Sequence, residues 1–382
     1  MDHIYCGDAL TVLRTLPAES VHCVMTSPPY WRLRDYGVAG QYGLEEQVDC
    51  LGWATGQPCG ECFICRLVAV FGEVKRVLRR DGVVWLNMGD SYVSRSTSKH
   101  GRGKNCGGVA ENPPRVKPPR GLQHKDLVGQ PWRLALALQA DGWILRSDVI
   151  WNKPNPMPSS AEDRPTVSHE HVFLLVRSGR YFWNYEAMQE PVAAVSHGAR
   201  VQSPRSVSFD RPVAEPVRPG QTASQHRPGR QKVPSGWDTT RGAHGTIHRE
   251  GRSSKIRSVR PGIDVRGGGQ GNGEMQYPAD TRNRRTVWTI PVSPFREAHY
   301  ATFPPALVEP CLKAGCPLGG IVLDPFFGAG TTGLVARRLG RAFVGVELNP
   351  DNCRMAQRRI ERDSGLFGPV EIVWTGGEAV VA

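Results

Sequence analysis

A glycine-containing loop joins an apolar strand to a helix near the C-terminal end of this 382-residue chain. The run Ile321-Val322-Leu323 predicts a buried strand, and Asp324-Pro325-Phe326-Phe327-Gly328-Ala329-Gly330-Thr331-Thr332 follows it directly. Gly328 and Gly330 let the backbone turn sharply and approach a bound molecule, because neither carries a Cβ atom. The helix N-terminus behind them favours a carboxylate or a phosphate. Glu347 ends the next predicted strand, 17 positions after Gly330, where its carboxylate can accept both hydroxyls of a ribose. This order predicts a nucleotide-type cofactor site.

Strands and helices alternate on both sides of the centre of the chain. We predict strands at residues 21–25, 83–88, 144–151, 171–176, 321–323 and 343–346. Helices are predicted at residues 66–80, 131–139, 304–314, 332–339 and 351–362. This alternation is typical of an α/β fold with a largely parallel sheet. In such sheets, ligands collect at the carboxyl ends of the strands.

A second predicted strand end carries the run Ser27-Pro28-Pro29-Tyr30. Two prolines and an aromatic residue can form a rigid surface turn or a proline-rich ligand for another domain. Here the run is attached to a buried strand at residues 21–25, which holds it in place. It offers a rigid backbone carbonyl, a hydroxyl and an aromatic face within four residues. That set suits stacking on a flat heterocycle and hydrogen bonding to its exocyclic amino group, as base-processing enzymes require.

The net charge of +12 and the lack of export signals limit the classes of protein that fit this sequence. No stretch approaches the roughly 20 consecutive apolar residues of a membrane span. Residues 1–5 have neither the basic nor the apolar region of a signal peptide. We therefore expect a cytosolic protein whose ten cysteines are thiols or metal ligands rather than disulfides. The excess of positive charge indicates a polyanionic partner.

Most of that charge lies in one central segment. Residues 192–286 contain 17 of the 48 basic residues but only 7 of the 36 acidic ones. The segment is rich in Gly, Pro, Ser and Arg and has no sustained apolar periodicity, so burial can offset little of its ordering entropy. It is either a disordered linker or an arm that orders along a phosphate backbone, and the two interpretations are compatible.

Together, the two strand-end loops resemble those of the amino-methylating DNA methyltransferases of restriction–modification systems. The run that begins at Asp324 is similar to their S-adenosylmethionine loop, and Ser27-Pro28-Pro29-Tyr30 is similar to their catalytic loop. The catalytic loop comes first, the basic segment second and the cofactor loop last, which is the order of the β group. The similarity covers roughly residues 1–190 and 287–365. It implies a Rossmann-like, mostly parallel sheet in circularly permuted order.

The resemblance also implies which residues contact the cofactor. Beside Gly328, Gly330 and Glu347, the expected S-adenosylmethionine contacts are Asp8, Phe303, Asp324, Pro325, Phe326 and Thr331. Asp8 matches an acidic position near the adenine, and Phe303 lies in a segment, residues 299–304, that resembles one closing over the methionine part. Residues 151–156 resemble a loop that lines the target-base pocket.

The implied reaction forms no covalent intermediate with the enzyme. The amino group of cytosine or adenine is a poor nucleophile, because its lone pair is delocalised into the ring. Hydrogen bonds to Ser27 Oγ and to the Pro28 carbonyl would draw the nitrogen towards tetrahedral geometry, with Tyr30 stacked on the base. Catalysis is then mainly positioning and electrostatics. Methylation at carbon 5 of cytosine would need a cysteine nucleophile, and neither Pro-Cys pair, at residues 58–59 or 310–311, follows a suitable strand.

The identity of the methylated base stays open at this point. In this family, Ser at the first loop position goes mostly with cytosine N4, and Asp or Asn mostly with adenine N6, so Ser27 favours cytosine. An RNA or protein N-methyltransferase would usually place the cofactor loop first. A non-catalytic DNA-binding zinc protein would explain the charge and the cysteines but not the two strand-end loops.

One feature departs from the usual pattern of the family. Cys50, Cys59, Cys62 and Cys65 lie within 16 residues, and the last three are separated by two-residue gaps. This density suits a tetrahedral structural zinc. The three closely spaced cysteines also resemble part of an iron–sulfur pattern, and four unrelated thiols are the remaining interpretation.

These observations predict four segments. Residues 1–190 form the catalytic half, with a Cys-rich insertion at 48–66, and residues 191–286 form the basic segment, a target-recognition region or a disordered arm. Residues 287–365 form the cofactor-binding half, and residues 366–382 form a C-terminal tail. The expected partners are double-stranded DNA and a cognate restriction endonuclease, with no membrane, in the cytoplasm of a bacterial or phage-infected cell. Monomer and homodimer both remain open.

Overall fold

A nine-stranded mixed sheet forms the centre of the protein. The computed structural model describes residues 2–93, 118–191, 281–293, 302–364 and 369–375. These residues belong to one compact unit drawn from Met1–Pro191 and Asp280–Ala382. A second unit, Val192–Ala279, which contains most of the basic segment, lies outside the described residues.

The described elements follow the alternation that the sequence predicts. The strands are β1 (His3–Cys6), β2 (Val21–Thr26), β3 (Leu78–Met88), β4 (Ile144–Asn152), β5 (His169–Val176), β6 (Gln189–Pro191), β7 (Thr281–Asn283), β8 (Val287–Thr289), β9 (Ile321–Asp324), β10 (Ala342–Glu347) and β11 (Glu371–Trp374). The α-helices are α1 (Ala9–Thr15), α2 (Gly52–Thr55), α3 (Phe63–Val77), α4 (Gln130–Ala140), α5 (Pro305–Gly315), α6 (Thr331–Arg338) and α7 (Pro350–Ser364). A short 3-10 helix spans Glu186–Met188.

The strand order of the sheet is β11-β1-β10-β9-β2-β3-β5-β4-β8, and β6 pairs with β7 separately. Only β5 runs opposite to its neighbours among the nine strands of the described sheet. The prediction of an α/β fold with a largely parallel sheet is therefore confirmed. Because β1, β10, β9, β2 and β3 are parallel, their carboxyl ends lie along the same edge of the sheet.

Helices cover both faces of this sheet. On one face, Val24 of β2 packs in a core with apolar residues of α1, α3 and α4. On the other face, its neighbours Cys23 and Met25 pack with residues of α5, α6 and α7. Successive side chains of a strand point to opposite faces, so a strand that is buried on both sides consists almost wholly of apolar residues.

The boundaries of α3 differ from the prediction of a helix over residues 66–80. The helix begins at Phe63, because the Cys62 side chain accepts a hydrogen bond from the Cys65 backbone N–H and caps it. Residues 78–80 belong to β3 instead, where Leu78 pairs with Val21 of β2.

Two strands near the chain ends carry no local signal. β1 and β11 have only four residues each, and β11 lies within residues 366–382, which the sequence analysis describes as a tail. They pair with each other in parallel, with His3 opposite Glu371. Pairing with distant residues, rather than local propensity, places such strands in a sheet.

A search of the described helices finds none that combines the length and the apolar composition needed to span a bilayer.

Candidate active site

The two predicted loops leave adjacent parallel strands. β2 pairs with β9, with Cys23 opposite Val322 and Val24 opposite Leu323. The helix that follows β9 packs on one face of the sheet and the helix that follows β2 packs on the other. The two loops thus lie side by side at the carboxyl edge, where open α/β sheets bind their ligands when successive helices lie on opposite faces.

Asp324 connects the two loops directly. The Thr26 hydroxyl, at the end of β2, donates to Asp324 Oδ1 over 2.6 Å, and the Thr332 hydroxyl of α6 donates to Oδ2 over 2.7 Å. The Phe326 backbone N–H also donates to Oδ1, over 3.1 Å. Asp324 is 1% exposed, and burial raises its pKa to about 6 although these hydrogen bonds favour the charged form. The cofactor contact that the sequence analysis expects at Asp324 stays a prediction; in the structure its oxygens accept three hydrogen bonds from the protein.

The two glycines of the cofactor loop have different environments. The Phe327 N–H donates to the Val346 carbonyl of β10 over 2.8 Å, which fixes the loop to the neighbouring strand. Gly328 has a φ of +50°, and a Cβ atom added there would meet no atom within 4 Å. Gly330 has a φ of +75°, and an added Cβ would lie 2.8 Å from Ala356 Cβ of α7. Gly328 therefore borders open space, while Gly330 is required by the packing of two helices.

Glu347 lies at the end of β10 beside the same loop. Its Oε2 accepts a hydrogen bond from the Gly328 backbone N–H over 2.8 Å. Its Oε1 accepts from the Asn349 N–H over 2.9 Å and from Asn352 Nδ2 over 3.2 Å. Burial raises the pKa of Glu347, and the backbone N–H groups oppose this shift. The carboxylate is thus oriented by the loop, and Oε2, which accepts one hydrogen bond from the described residues, keeps capacity for a further donor.

Asp8 is positioned by a helix cap. It precedes α1, and its Oδ1 accepts hydrogen bonds from the Thr11 N–H over 2.9 Å and from the Thr11 hydroxyl over 2.8 Å. The Tyr42 hydroxyl donates to Oδ2 over 3.4 Å. The Tyr42 ring also meets Phe326 edge-on, with ring centroids 5.6 Å apart. Tyr42 therefore links two of the predicted cofactor contacts, and sequence analysis does not identify it.

The remaining predicted cofactor residues have supporting positions. Pro325 is buried, and Thr331 accepts a hydrogen bond at its hydroxyl from Arg359 Nη1 over 2.9 Å. Phe303 is half-buried and packs against the core on the α5–α7 side of the sheet. Residues 299–301 of the segment predicted to close over the cofactor lie outside the described residues.

The catalytic loop is held by a polar cluster of Tyr30, Asn87, Lys153 and Glu170, here called the Glu170 cluster. The Tyr30 hydroxyl donates to Glu170 Oε2 over 2.9 Å, and Asn87 Nδ2 donates to the same oxygen over 2.8 Å. Lys153 forms an ion pair with Glu170 Oε1. Asn87 Nδ2 also approaches Ser27 Oγ, at 3.3 Å. These contacts fix the side chains of Ser27 and Tyr30 relative to each other.

Two observations show how closely this loop is packed. A Cβ atom added at Gly89 would lie 2.8 Å from Tyr30 Cε2, so a glycine at this position lets the ring approach the backbone. Burial raises the pKa of Tyr30 well above its ordinary value, and the nearby Glu170 charge adds to the shift. Tyr30 is therefore a neutral hydrogen-bond donor near neutral pH. Pro28 is buried, and Pro29 is half-buried.

Sequence analysis does not identify Asn87, Glu170 or the role of Lys153. Asn87 and Glu170 are polar residues at the ends of predicted apolar strands, and Lys153 lies in the predicted base-pocket loop. These positions are the features of the sequence that could have identified the three residues as candidates. Asn87 is 1% exposed, and its Oδ1 has no hydrogen-bond partner among the described residues. The Asn87 atom that faces Ser27, Tyr30 and Glu170 is its Nδ2 donor.

The structure also brings together the four cysteines of the Cys-rich insertion. The Sγ atoms of Cys50, Cys59, Cys62 and Cys65 all lie within 4.8 Å of one another. Cys62 and Cys65 are buried, whereas Cys50 and Cys59 are exposed. A tetrahedral metal ion requires four ligand atoms arranged in this way.

Comparison with known proteins finds a family whose members match most of this chain. A family model described as "DNA methylase" matches residues 21–358. The Type II methyltransferase M.XycI of Xanthomonas campestris pv. cyanopsidis is 39% identical over 363 residues, which cover 94% of this chain and 87% of that protein. M.Cfr9I of Citrobacter freundii is 38% identical over 363 residues, which also cover 94% of this chain and 87% of that protein.

Solved structures share the fold at low sequence identity. TTHA0409, a putative DNA modification methylase of Thermus thermophilus in complex with S-adenosyl-L-methionine, has a TM-score of 0.51 and 20% identity, covering 99% of this chain and 100% of that one. PvuII DNA methyltransferase, described as cytosine-N4-specific, has a TM-score of 0.51 and 16% identity, covering 97% and 95%. At these identities the likeness establishes the fold.

Proposed function

The chain belongs to the N4/N6 DNA methylase family, and from this premise we propose that it methylates the N4 amino group of cytosine in double-stranded DNA at a specific site. The methyl donor in this proposal is S-adenosylmethionine. The observation that carries it is the hydrogen bond between Thr26 and Asp324. This contact joins the strand that ends in Ser27 to the strand that ends in the glycine loop, so amine and methyl donor can meet in one crevice.

The glycine loop suits S-adenosylmethionine. Open space beside Gly328 leaves room for a ligand, and the N-terminus of α6 favours its carboxylate. Glu347 Oε2 can accept a ribose hydroxyl, because it accepts one hydrogen bond from the described residues and has a spare lone pair. Bound there, the cofactor supplies an electrophilic sulfonium methyl group. Asp324 and Thr332 keep the loop in the shape that these contacts need.

The catalytic loop suits an exocyclic amino group. Ser27 Oγ and the Pro28 carbonyl are acceptors for its two protons, and Asn87 Nδ2, 3.3 Å from Ser27 Oγ, helps to orient the hydroxyl. Hydrogen bonds from the amino group to these acceptors localise the nitrogen lone pair, which is otherwise delocalised into the ring. Glu170 holds the Tyr30 hydroxyl, so the ring is fixed before a base arrives. Such preorganised positioning supplies most of the rate enhancement in a reaction of this kind.

The proposed target is cytosine because a serine stands at the first position of the loop. Adenine N6 is the alternative, since a neutral hydroxyl can accept a proton from either amine. Expression in a host that lacks DNA methylation, followed by sequencing with a method sensitive to modified bases, separates the two. We expect N4-methylcytosine at one short sequence. N6-methyladenine would select the alternative, and unmodified DNA would reject the proposal.

The proposal extends to partners and location. A methyltransferase with this basic composition would bind double-stranded DNA through phosphate contacts from residues 191–286, and those residues would also supply target recognition. A cognate restriction endonuclease and a cytoplasmic location follow from the same proposed role.

A further inference from the structure

Four thiols of the Cys-rich insertion converge, and the proposed methyl transfer uses none of them. Cys50 Sγ lies 3.6 Å from Cys65 Sγ, and Cys59 Sγ lies 3.9 Å from it. A disulfide would hold two sulfurs about 2.0 Å apart. Four thiolates around one zinc, each about 2.3 Å from the ion, lie about 3.8 Å from one another. The sulfur spacing is therefore that of ligands to a common metal.

Backbone N–H groups point at three of these sulfurs. Gly52 N donates to Cys50 Sγ over 3.2 Å, Cys62 N donates to Cys59 Sγ over 3.3 Å, and Cys65 N approaches Cys62 Sγ at 3.5 Å. Such hydrogen bonds orient metal-bound thiolates and stabilise their negative charge. The ligand atoms are thus arranged by the turns around them.

We propose that these four thiolates bind one structural zinc ion, and that the ion anchors residues 41–50 against both loops of the candidate active site. Soft sulfur donors select zinc over magnesium or calcium, and four protein ligands leave no position for a reactive water. The part of this inference that concerns the active site rests on the proposed function.

One end of the anchored segment contacts the residues that follow the catalytic loop. The Gly43 carbonyl accepts a hydrogen bond from the Arg32 N–H over 2.7 Å, and Trp31 Nε1 donates to the Glu45 carbonyl over 2.9 Å. Gly43 has a φ of +97°, and an added Cβ would lie 2.9 Å from the Tyr30 carbonyl oxygen. The segment therefore packs directly on the backbone of the catalytic loop.

The same segment contacts the cofactor side through Tyr42. This residue hydrogen-bonds to Asp8 and meets Phe326 edge-on. The Arg66 guanidinium lies 4.3 Å from the Tyr42 ring centroid and pairs with Glu45 over 2.5 Å. Arg66 directly follows the last of the four cysteines, so the metal ligands and the cofactor contacts are connected within a few residues.

Regular secondary structure contributes little to the order of this segment, which is held by side-chain and backbone contacts. Between residues 41 and 62 the only regular element is the four-residue helix α2. Backbone hydrogen bonds from Phe63 N to Gln47 O and from Ile64 N to Val48 O attach it to the start of α3. A bound metal would add its binding free energy to these contacts, because metal binding contributes directly to folding free energy.

The test uses the full chain purified without chelators. Elemental analysis should find about one zinc per chain. Cys62→Ser should lose the zinc, whereas Cys316→Ser should keep it, because Cys316 is not one of the four grouped cysteines. Cys316 is the matched control because the two cysteines are similarly buried, at 2% and 0% exposure. By calorimetry, S-adenosylmethionine should bind Cys62→Ser about tenfold more weakly, the effect of roughly one lost hydrogen bond, and bind Cys316→Ser normally.

Each alternative outcome has a defined meaning. Wild-type protein without bound metal overturns the site, and iron with acid-labile sulfide overturns zinc in favour of a cluster. If Cys62→Ser does not fold, Cys50→Ser at the exposed ligand replaces it, and cobalt loaded into the wild type should give the visible absorption of a tetrahedral thiolate site. Zinc loss with unchanged cofactor affinity in a folded variant overturns the anchoring role. Zinc content is measured without DNA, so a zinc protein that methylates nothing rejects the proposed function and retains the metal site.

Discussion

Asp324 is the residue through which the catalytic and cofactor loops contact each other. Two threonine hydroxyls, from Thr26 and Thr332, bind its two oxygens, and the group is almost completely buried. A buried carboxylate is costly unless it is hydrogen-bonded, and here the hydrogen bonds offset only part of that cost. Its raised pKa is the consequence, and it can be measured.

We expect Asp324→Asn to remove a pH-dependent loss of stability. Burial raises the pKa of Asp324 from 3.8 to about 6, so the folded protein binds a proton that the unfolded chain releases. The contribution of Asp324 to the free energy of unfolding therefore falls by about 3 kcal/mol as pH rises from about 4 through 6. Asparagine does not titrate, so the stability of the variant relative to wild type should rise over this range.

Urea unfolding at several pH values between about 4 and 7 measures this difference. Asp35→Asn, at an exposed position, is the matched control and should follow the wild-type profile. Parallel profiles for wild type and Asp324→Asn would show that Asp324 is ionised throughout.

At the scale of elements, the cofactor loop depends on how α6 packs against α7. Gly330 caps α6 with a left-handed conformation, and Ala356 of α7 occupies the space that a side chain would need. The sequence analysis assigns close approach of a ligand to both Gly328 and Gly330, whereas the structure shows open space at the Cβ position of Gly328 and Ala356 at that of Gly330. Steric contact between two helices is a tertiary property that the local glycine pattern does not reveal.

Gly330→Ala should lower the free energy of unfolding by about 1–3 kcal/mol more than Gly340→Ala does. Both glycines have positive φ, +75° and +69°, so both substitutions carry similar backbone strain. Only at residue 330 would the new Cβ approach another atom within 4 Å. Denaturant unfolding measures both losses. Equal losses of stability would mean that α7 moves away from the new Cβ atom without lowering the free energy of unfolding.

Most of the sheet and both loops of the candidate site could be predicted, because long apolar runs and glycine turns are local signals. β1 and β11 could not, since four-residue strands depend on partners far away in sequence. The Glu170 cluster could not be predicted for the same reason: Tyr30 and Glu170 are 140 residues apart and meet only in the folded chain.

At the scale of the whole molecule, the proposed catalytic residues and most of the net positive charge lie in different parts of the chain. The described unit carries the two loops and the four cysteines, while residues 192–286 carry ten of the twelve net positive charges. This separation fits a protein that holds DNA through phosphate contacts in one part and acts on a single base in another. The central claim is that the crevice between the two loops is where the methyl group is transferred.

The most direct measurement of this claim is the transfer of labelled methyl groups from S-adenosylmethionine to unmethylated double-stranded DNA, followed by digestion to nucleosides. The wild type should place the label in N4-methylcytosine. Ser27→Ala should reduce the rate by about 10²–10³, the effect of losing one preorganised hydrogen bond. Ser20→Ala, at the opposite end of β2, should leave the rate unchanged. Label in 5-methylcytosine, or a normal rate for Ser27→Ala, would contradict the account.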